Sequence, residues 1–303
     1  MLVKARTESL ELQILRILNL RMDLPEDKQR YYLNLEKGFL GEVQFDLLTE
    51  QLECDCLIIN DLLLEVNNTK FQIDSLIIYQ KSIYLFEVKN NEGDYCYEAD
   101  SFKTKSGLEI KNPLDQLKRS TSLFRQLCHK LGSNLSVESF VVFVNPAFTL
   151  YQAPKNLPFI FPTQLKIFIE KLDSKPSRLN TWHSKFADQL KSLHIVESPY
   201  DRLSFYQYDQ LEKGITCKEC NSFYQPFSVH RFEIECNECG SRESVNDAIL
   251  QNVREHILLF PDRKITTKTI HEWCQVIPST KRIQRVLDYH YQKTQNNRWT
   301  YYK

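Results

Sequence analysis

Residues 70–90 read Lys70-Phe-Gln72-Ile73-Asp74-Ser75-Leu-Ile-Ile-Tyr79-Gln80-Lys81-Ser82-Ile83-Tyr-Leu85-Phe86-Glu87-Val88-Lys89-Asn90. β-Branched and aromatic residues dominate both halves, so the stretch is expected to form two strands joined by a tight turn near Gln80–Ser82. Strand alternation puts Ile83, Leu85, Glu87 and Lys89 on one face, so charged groups end an otherwise apolar surface. With the turn at Gln80–Lys81, Asp74 falls opposite Glu87, their Cβ atoms about 5 Å apart. The turn lacks the Asn-Gly or Gly that two-residue hairpins favour, and a register shifted by one is also compatible with the sequence. Two carboxylates that close repel each other, and a hard divalent cation such as Mg²⁺ relieves the repulsion. Lys89 lies roughly 7 Å beyond Glu87 on the same face. There it can orient or deprotonate a water, or neutralise developing charge, as metal-assisted phosphodiester hydrolysis requires.

Helical periodicity is expected over residues 7–22 and again over about 35–52, where Phe39, Val43, Leu47 and Leu48 form the apolar stripe. Pro25 suits the first turn of a further helix. Gly38-x-x-Gly41-Glu42 lies within the second stretch. Two glycines cost a helix about 1 kcal/mol each unless close packing or a ligand needs them. Cys56–Val66 reads as a strand, and residues 94–111 as irregular chain or a short meander. Asn112 is an expected N-cap, with Pro113 in the first turn of a helix to about Leu131. Val137–Val144 reads as a buried strand, residues 155–163 as a strand or loop, and 164–172 and 180–193 as helices. The succession helix, three strands, helix, strand implies a mixed α/β sheet with helices on its faces.

These residues carry a resemblance. Gly38-x-x-Gly41-Glu42, Gln72-Ile73-Asp74, Phe86-Glu87-Val88-Lys89-Asn90 with Gly93, and Asn112-Pro113-x-x-Gln116 occur in an order that resembles the NERD, or nuclease-related, domain. That domain is a branch of the restriction-endonuclease-like PD-(D/E)xK superfamily, and the resemblance covers roughly residues 36–145. It implies a restriction-endonuclease-like mixed sheet flanked by helices, with Mg²⁺ (or Mn²⁺) held by Glu42, Asp74 and Glu87 and the Val88 carbonyl as a further ligand. It also implies that Lys89 acts on the attacking water and Gln116 positions substrate. Ser75 stands where the family often has His, and Val88 where Thr is usual; neither departure removes a ligand.

Cys217-x2-Cys220-x15-Cys236-x2-Cys239 has the spacing of two knuckles gripping one tetrahedral Zn²⁺. Four thiolates fill the coordination sphere, so the expected zinc ribbon is structural. The remaining cysteines, at 54, 56, 96, 128 and 274, have no ligand spacing and read as small buried hydrophobes. Residues 263–303 hold nine Lys and Arg against Glu272 and Asp288. Two helices, about 267–276 and 280–291, then a turn at Asn296-Asn297 and a strand, resemble a winged helix-turn-helix. Such a module would bring Lys281, Arg282, Arg285 and Arg298 to nucleic acid, with DNA the expected partner.

The 303 residues have 39 basic and 39 acidic side chains, so only a local basic patch can attract phosphates. No apolar run reaches the ~18 residues of a membrane helix, and the first residues lack a signal-peptide core. A cytoplasmic protein without a membrane role is expected, and nine cysteines there point to metal before disulfides. The expected organisation is a nuclease-like domain over 1–198, a linker over 199–214, a zinc ribbon over 215–243 and a basic winged-helix-like module over 244–303. The expected activity is Mg²⁺-dependent nucleic-acid hydrolysis; the alternative is a non-cleaving nucleic-acid-binding or sensing protein on the same fold.

Overall fold

The computed structural model describes residues 1–196, 203, 205–226, 229–230, 232–296 and 299–303. The chain divides into two compact units: residues 1–9 with 33–198, and residues 10–32 with 199–303.

The first unit is a mixed α/β structure. Its main sheet has the order β1 (Leu2–Lys4), β2 (Leu57–Val66), β3 (Thr69–Ile78), β4 (Ser82–Lys89), β8 (Ser136–Phe143), β10 (Phe159–Ile160). β2, β3 and β4 are an antiparallel meander; β1, β8 and β10 join parallel to their neighbours. Alternation divides the core in two. Ile58, Ile77, Tyr84 and Phe86 pack with Phe45 of α2 (Glu26–Thr49) and with Leu165 and Leu172 of α4 (Leu165–Asp173). On the other face Ile59, Leu76, Ile83 and Leu85 pack with Phe124 of α3 (Pro113–Lys130) and with Phe186 and Leu190 of α5 (Thr181–Ser192). Asn112 caps α3, its side chain accepting from the Leu114 N–H at 3.0 Å.

The stretch expected to be irregular or a meander forms β5 (Gly93–Glu98), β6 (Ser101–Thr104) and β7 (Glu109–Ile110). With β9 (Phe148–Tyr151) they make a second sheet, in the order β7-β6-β5-β9. Stacked aromatics hold it down, Phe143 and Phe148 having ring centroids 4.0 Å apart.

In the second unit α1 (Leu10–Arg21) belongs with the C-terminal residues, whereas the sequence placed it as a flank of the sheet domain. Arg21 explains the membership. Its buried guanidinium donates to the carbonyls of Glu212 and Gly214, to Asn252 Oδ1 and to Glu255 Oε2, the last at 2.6 Å. The second expected helix is longer than its periodic stripe, since α2 runs unbroken from Glu26 across both glycines.

Beyond the cysteine knuckles lie β11 (Glu233–Glu235), β12 (Arg242–Ser244) and α6 (Val245–Leu259), a helix the sequence reading missed. Then come α7 (Thr267–Cys274), α8 (Thr280–His290) and the hairpin β13 (Lys293–Asn296) and β14 (Trp299–Tyr302). Ile265, between α6 and α7, bridges antiparallel to Tyr302. Val253, Ile270, Ile283 and Leu287 share one core with Cys217, Tyr224, Ile234 and Cys236, so the cysteine module and the helices are a single hydrophobic body.

Candidate functional site: an acidic cluster and a cysteine quartet

A two-residue loop, Gln80–Lys81, closes the β3–β4 hairpin, with the Tyr79 N–H donating to the Ser82 carbonyl. Pairing runs from Ile78↔Ile83 to Ser75↔Phe86 and ends there, one residue short of Asp74 and Glu87. Both are buried, on the α3 side of the sheet with Leu76 and Leu85. Asp74 Oδ2 accepts from the Val88 N–H at 2.8 Å. Lys89 Nζ donates to Glu87 Oε1 at 2.5 Å and to Gln116 Oε1 at 3.4 Å, so Gln116, in the first turn of α3, reaches the same group.

Glu42 arrives from α2. Gly41 permits the approach: a Cβ there would stand 2.5 Å from Asn90 Cβ, just past the end of β4, whereas at Gly38 a Cβ would meet nothing within 4 Å. Asn90 fastens the contact by donating to the Lys37 carbonyl at 2.8 Å. Arg6 donates from Nη1 to Glu42 Oε2 at 2.5 Å, and pairs through Nε and Nη2 with both oxygens of Asp46. Sequence reasoning missed Arg6 and Asp46. The strand before Arg6 is three residues long, too short to show a period.

Burial, and then the charge of Asp74, push the carboxyls of Glu42 and Glu87 each up to about 8, against the pull of Arg6 on the first and Lys89 on the second. Asp74 is also raised, by burial first, although Lys89, the Val88 N–H and Arg6 oppose it. Burial pulls Lys89 down, but Glu87 and Asp74 outweigh it and hold the ammonium above its ordinary range. The cluster contains four carboxylates, of Glu42, Asp46, Asp74 and Glu87, against the cations Arg6 and Lys89. Fully ionised, it is left with two negative charges. An all-oxygen, doubly negative donor set suits a hard divalent cation such as Mg²⁺.

The cysteines suit a different ion. Cys217 and Cys220 stand in the turn between the bridged residues Thr216 and Phe223; Cys236 and Cys239 stand in the turn between β11 and β12. In each, the first cysteine's N–H donates to a serine carbonyl at 2.9 Å, Ser222 or Ser241. In each, the residue after the second cysteine is left-handed: Asn221 at φ 63° and Gly240 at φ 73°. Sγ of Cys220 lies 3.4 Å from that of Cys236, and Sγ of Cys217 lies 3.7 Å from that of Cys239. Four sulfurs about 2.3 Å from a tetrahedral zinc would be roughly 3.8 Å apart. The quartet can therefore hold a metal ion such as zinc. Among the described residues it is the group of three or more such ligands whose atoms all lie within 4.8 Å of one another. Glu42, Asp74 and Glu87 do not close to that distance, their oxygens being turned to Arg6, Val88 and Lys89.

Residues 37–144 match the family model of the nuclease-related domain, NERD. The NERD span holds Glu42, Asp74, Glu87, Lys89 and Gln116; Arg6 lies outside it, as do the cysteines. No curated protein matches the chain. Among solved structures, the crystal structure of protein VC1899 from Vibrio cholerae is similar at 10% identity over 56% of this chain, with a TM-score of 0.24. This chain covers 37% of that protein.

On α8, Lys281 and Arg285 are exposed. Arg282 is half-buried and donates from Nε to Asn246 Oδ1 at 3.0 Å. Arg298 lies outside the described residues. Of the cysteines without ligand spacing, 56, 128 and 274 are buried as expected; Cys54 and Cys96 are only half-buried. Among the described residues, no helix is long and apolar enough to cross a membrane.

Proposed function

We propose that the protein is a Mg²⁺-dependent nuclease of the PD-(D/E)xK type, acting on DNA in the cytoplasm. The observation that carries this reading is the largely buried group of carboxyls, Glu42, Asp74 and Glu87, beside Lys89 and inside the NERD span. In this reading Glu42, Asp74 and Glu87 hold the ion. Bound there, Mg²⁺ supplies Lewis acidity toward a phosphoryl oxygen and toward water. Lys89, whose ammonium donates to Glu87, supplies positive charge toward the phosphate in this reading. Gln116 restrains the ammonium and faces the substrate side.

The cysteine module is read as a structural zinc ribbon. The order α6, Ile265, α7, α8, hairpin is that expected of a winged helix, with Ile265 as its short first strand. Lys281 and Arg285 would then meet DNA phosphates, and affinity would fall with salt.

A second reading, a binder that does not cut, is favoured by one observation. Arg6 and Lys89 already satisfy oxygens of Glu42 and Glu87 from within the fold. Zinc-loaded protein incubated with circular and linear DNA, and with RNA, in Mg²⁺ or in EDTA separates the two. The nuclease reading expects Mg²⁺-dependent products from DNA. Retention of DNA on a filter without products in Mg²⁺ or Mn²⁺ would leave the binder.

A further inference from the structure

Arg6 and its partner Asp46 are the members of the acidic cluster that no motif accounts for. β1, just before Arg6, pairs parallel with β2 through Leu2↔Ile58 and Lys4↔Ile59, which delivers the side chain to the cluster. Four N–H···O contacts use four of the five guanidinium donors. Nε and Nη2 fork onto Asp46 at 2.8 and 3.0 Å, Nη2 also reaches the Asp74 carbonyl at 2.7 Å, and Nη1 reaches Glu42. The side chain is 4% exposed, so it cannot lie along a substrate. Its two-point pairing with Asp46 is the strong, directional kind. The chain of contacts runs from Asp46 to Arg6 to one oxygen of Glu42, the arrangement by which an outer residue orients a metal ligand.

The charge count adds a second consequence. With all four carboxyls ionised, as an ion seated among them requires, Glu42, Asp46, Asp74 and Glu87 against Arg6 and Lys89 leave two negative charges, which one divalent ion neutralises. A second ion would leave the buried site with two uncompensated positive charges, a costly state at low dielectric. Arginine does not deprotonate in proteins, so this fixed charge is present at every working pH.

We propose that Arg6 is a positioning residue of the acidic site: anchored by Asp46, it holds Glu42 in place and limits the cluster to a single divalent ion. The inference rests on the reading of Glu42, Asp74 and Glu87 as metal ligands.

The test is a count of bound Mn²⁺. Full-length, zinc-loaded protein is titrated with Mn²⁺ while the free ion is followed by electron paramagnetic resonance, for wild type, Arg6→Gln, Arg6→Lys and Glu87→Gln. Thiolates favour zinc over Mn²⁺, so the cysteine site stays occupied. Wild type is expected to bind one Mn²⁺, lost in Glu87→Gln. Arg6→Gln is expected to bind two, with Asp46 freed to serve as a ligand. Arg6→Lys, which keeps the charge without the fork, is expected to bind one ion about tenfold more weakly. One ion at wild-type affinity in Arg6→Gln, or two in wild type, would overturn the inference while sparing the metal site. No Mn²⁺ sensitive to Glu87→Gln in wild type would remove the metal-site reading and this inference together. Should Arg6→Gln fail to fold, Asp46→Asn unseats the same guanidinium. One ion bound about tenfold more weakly is then expected, and unchanged affinity overturns the proposal.

Discussion

The protein carries two clusters of polar side chains built on opposite principles. The cysteine quartet is local: two turns of four residues, each closed by its own backbone hydrogen bonds, bring the sulfurs together. The acidic cluster is assembled from the chain after β1, from α2, from β3 and β4 and from the start of α3, and it brings its own cations with it. Soft thiolates stand at the separations a small ion needs, while hard carboxylates are held apart by Arg6 and Lys89. A site made of one short segment keeps its geometry when the rest of the chain varies. A site made of five depends on every long-range contact that delivers a side chain to it.

The comparison breaks most readily at the cysteines. Structural zinc is worth about 10–16 kcal/mol in isolated finger peptides. Cys217, Tyr224, Ile234 and Cys236 lie in the same core as α6, α7 and α8, so removing the ion should loosen the helices as well. Cys236→Ser, or stripping zinc with a strong chelator, is expected to abolish hydrogen-exchange protection across α6. Retained protection would mean that the quartet is dispensable to the fold.

Next in size is Arg21, the buried clasp of the second unit. Arg21→Met leaves Glu255 without its ion pair and two carbonyls without a donor. A loss of about 3 kcal/mol in denaturant stability is expected, as when one partner of a buried pair is removed. A loss under about 1 kcal/mol would show that α1 is held by apolar contact alone.

His256 gives a comparable effect through pH. It is fully buried beside Tyr208, Phe260 and Trp273, neither ring nitrogen has a hydrogen-bond partner among the described residues, and burial, helped by Arg263, lowers its pKa from 6.5 to about 4. The unfolded chain takes up a proton near pH 6.5 and the folded chain does not until about pH 4. Stability contributed by the neutral ring is therefore complete above pH 6.5 and is lost as pH falls toward 4, by about 3 kcal/mol at 1.36 kcal/mol per unit. Urea titrations of His256→Phe and wild type between pH 7 and 4 check this: the variant should lack that part of the decline.

The smallest effect distinguishes two glycines of one helix. Gly38→Ala meets open space and should stabilise α2 by about 1 kcal/mol. Gly41→Ala would strike Asn90 and move Glu42, so it should weaken Mn²⁺ binding instead. Equal behaviour of the two variants would detach Gly41 from the site.

What could be read in the sequence follows the same division. The cysteine spacing is legible because four ligands and two turns lie within 23 residues. The register of the β3–β4 hairpin is legible because a two-residue loop fixes it over a short distance, up to Ser75↔Phe86. Asn112 announces its helix because a cap acts on its neighbours. Arg6 is silent because the strand before it is three residues long and its partners are 36, 40 and 68 positions away. The small second sheet is hidden for a related reason: its strands are short, and its β5–β6 turn uses left-handed Ala99 and Asp100 where a glycine would have signalled it. The place of α1 is set by Arg21, whose acceptors lie about 190 residues or more along the chain.

In the proposed function the carboxylates of the sheet unit, and not the thiolates, form the hydrolytic site. Single-turnover cleavage of DNA in Mg²⁺ by zinc-loaded wild type and Glu87→Gln, with DNA retention measured on the same samples, tests it most directly. Cleavage by wild type is expected, with a fall of about a thousandfold in the variant, as for several kcal/mol of lost transition-state stabilisation, and unchanged retention. Equal cleavage rates in the two proteins, with zinc content equal, would contradict it.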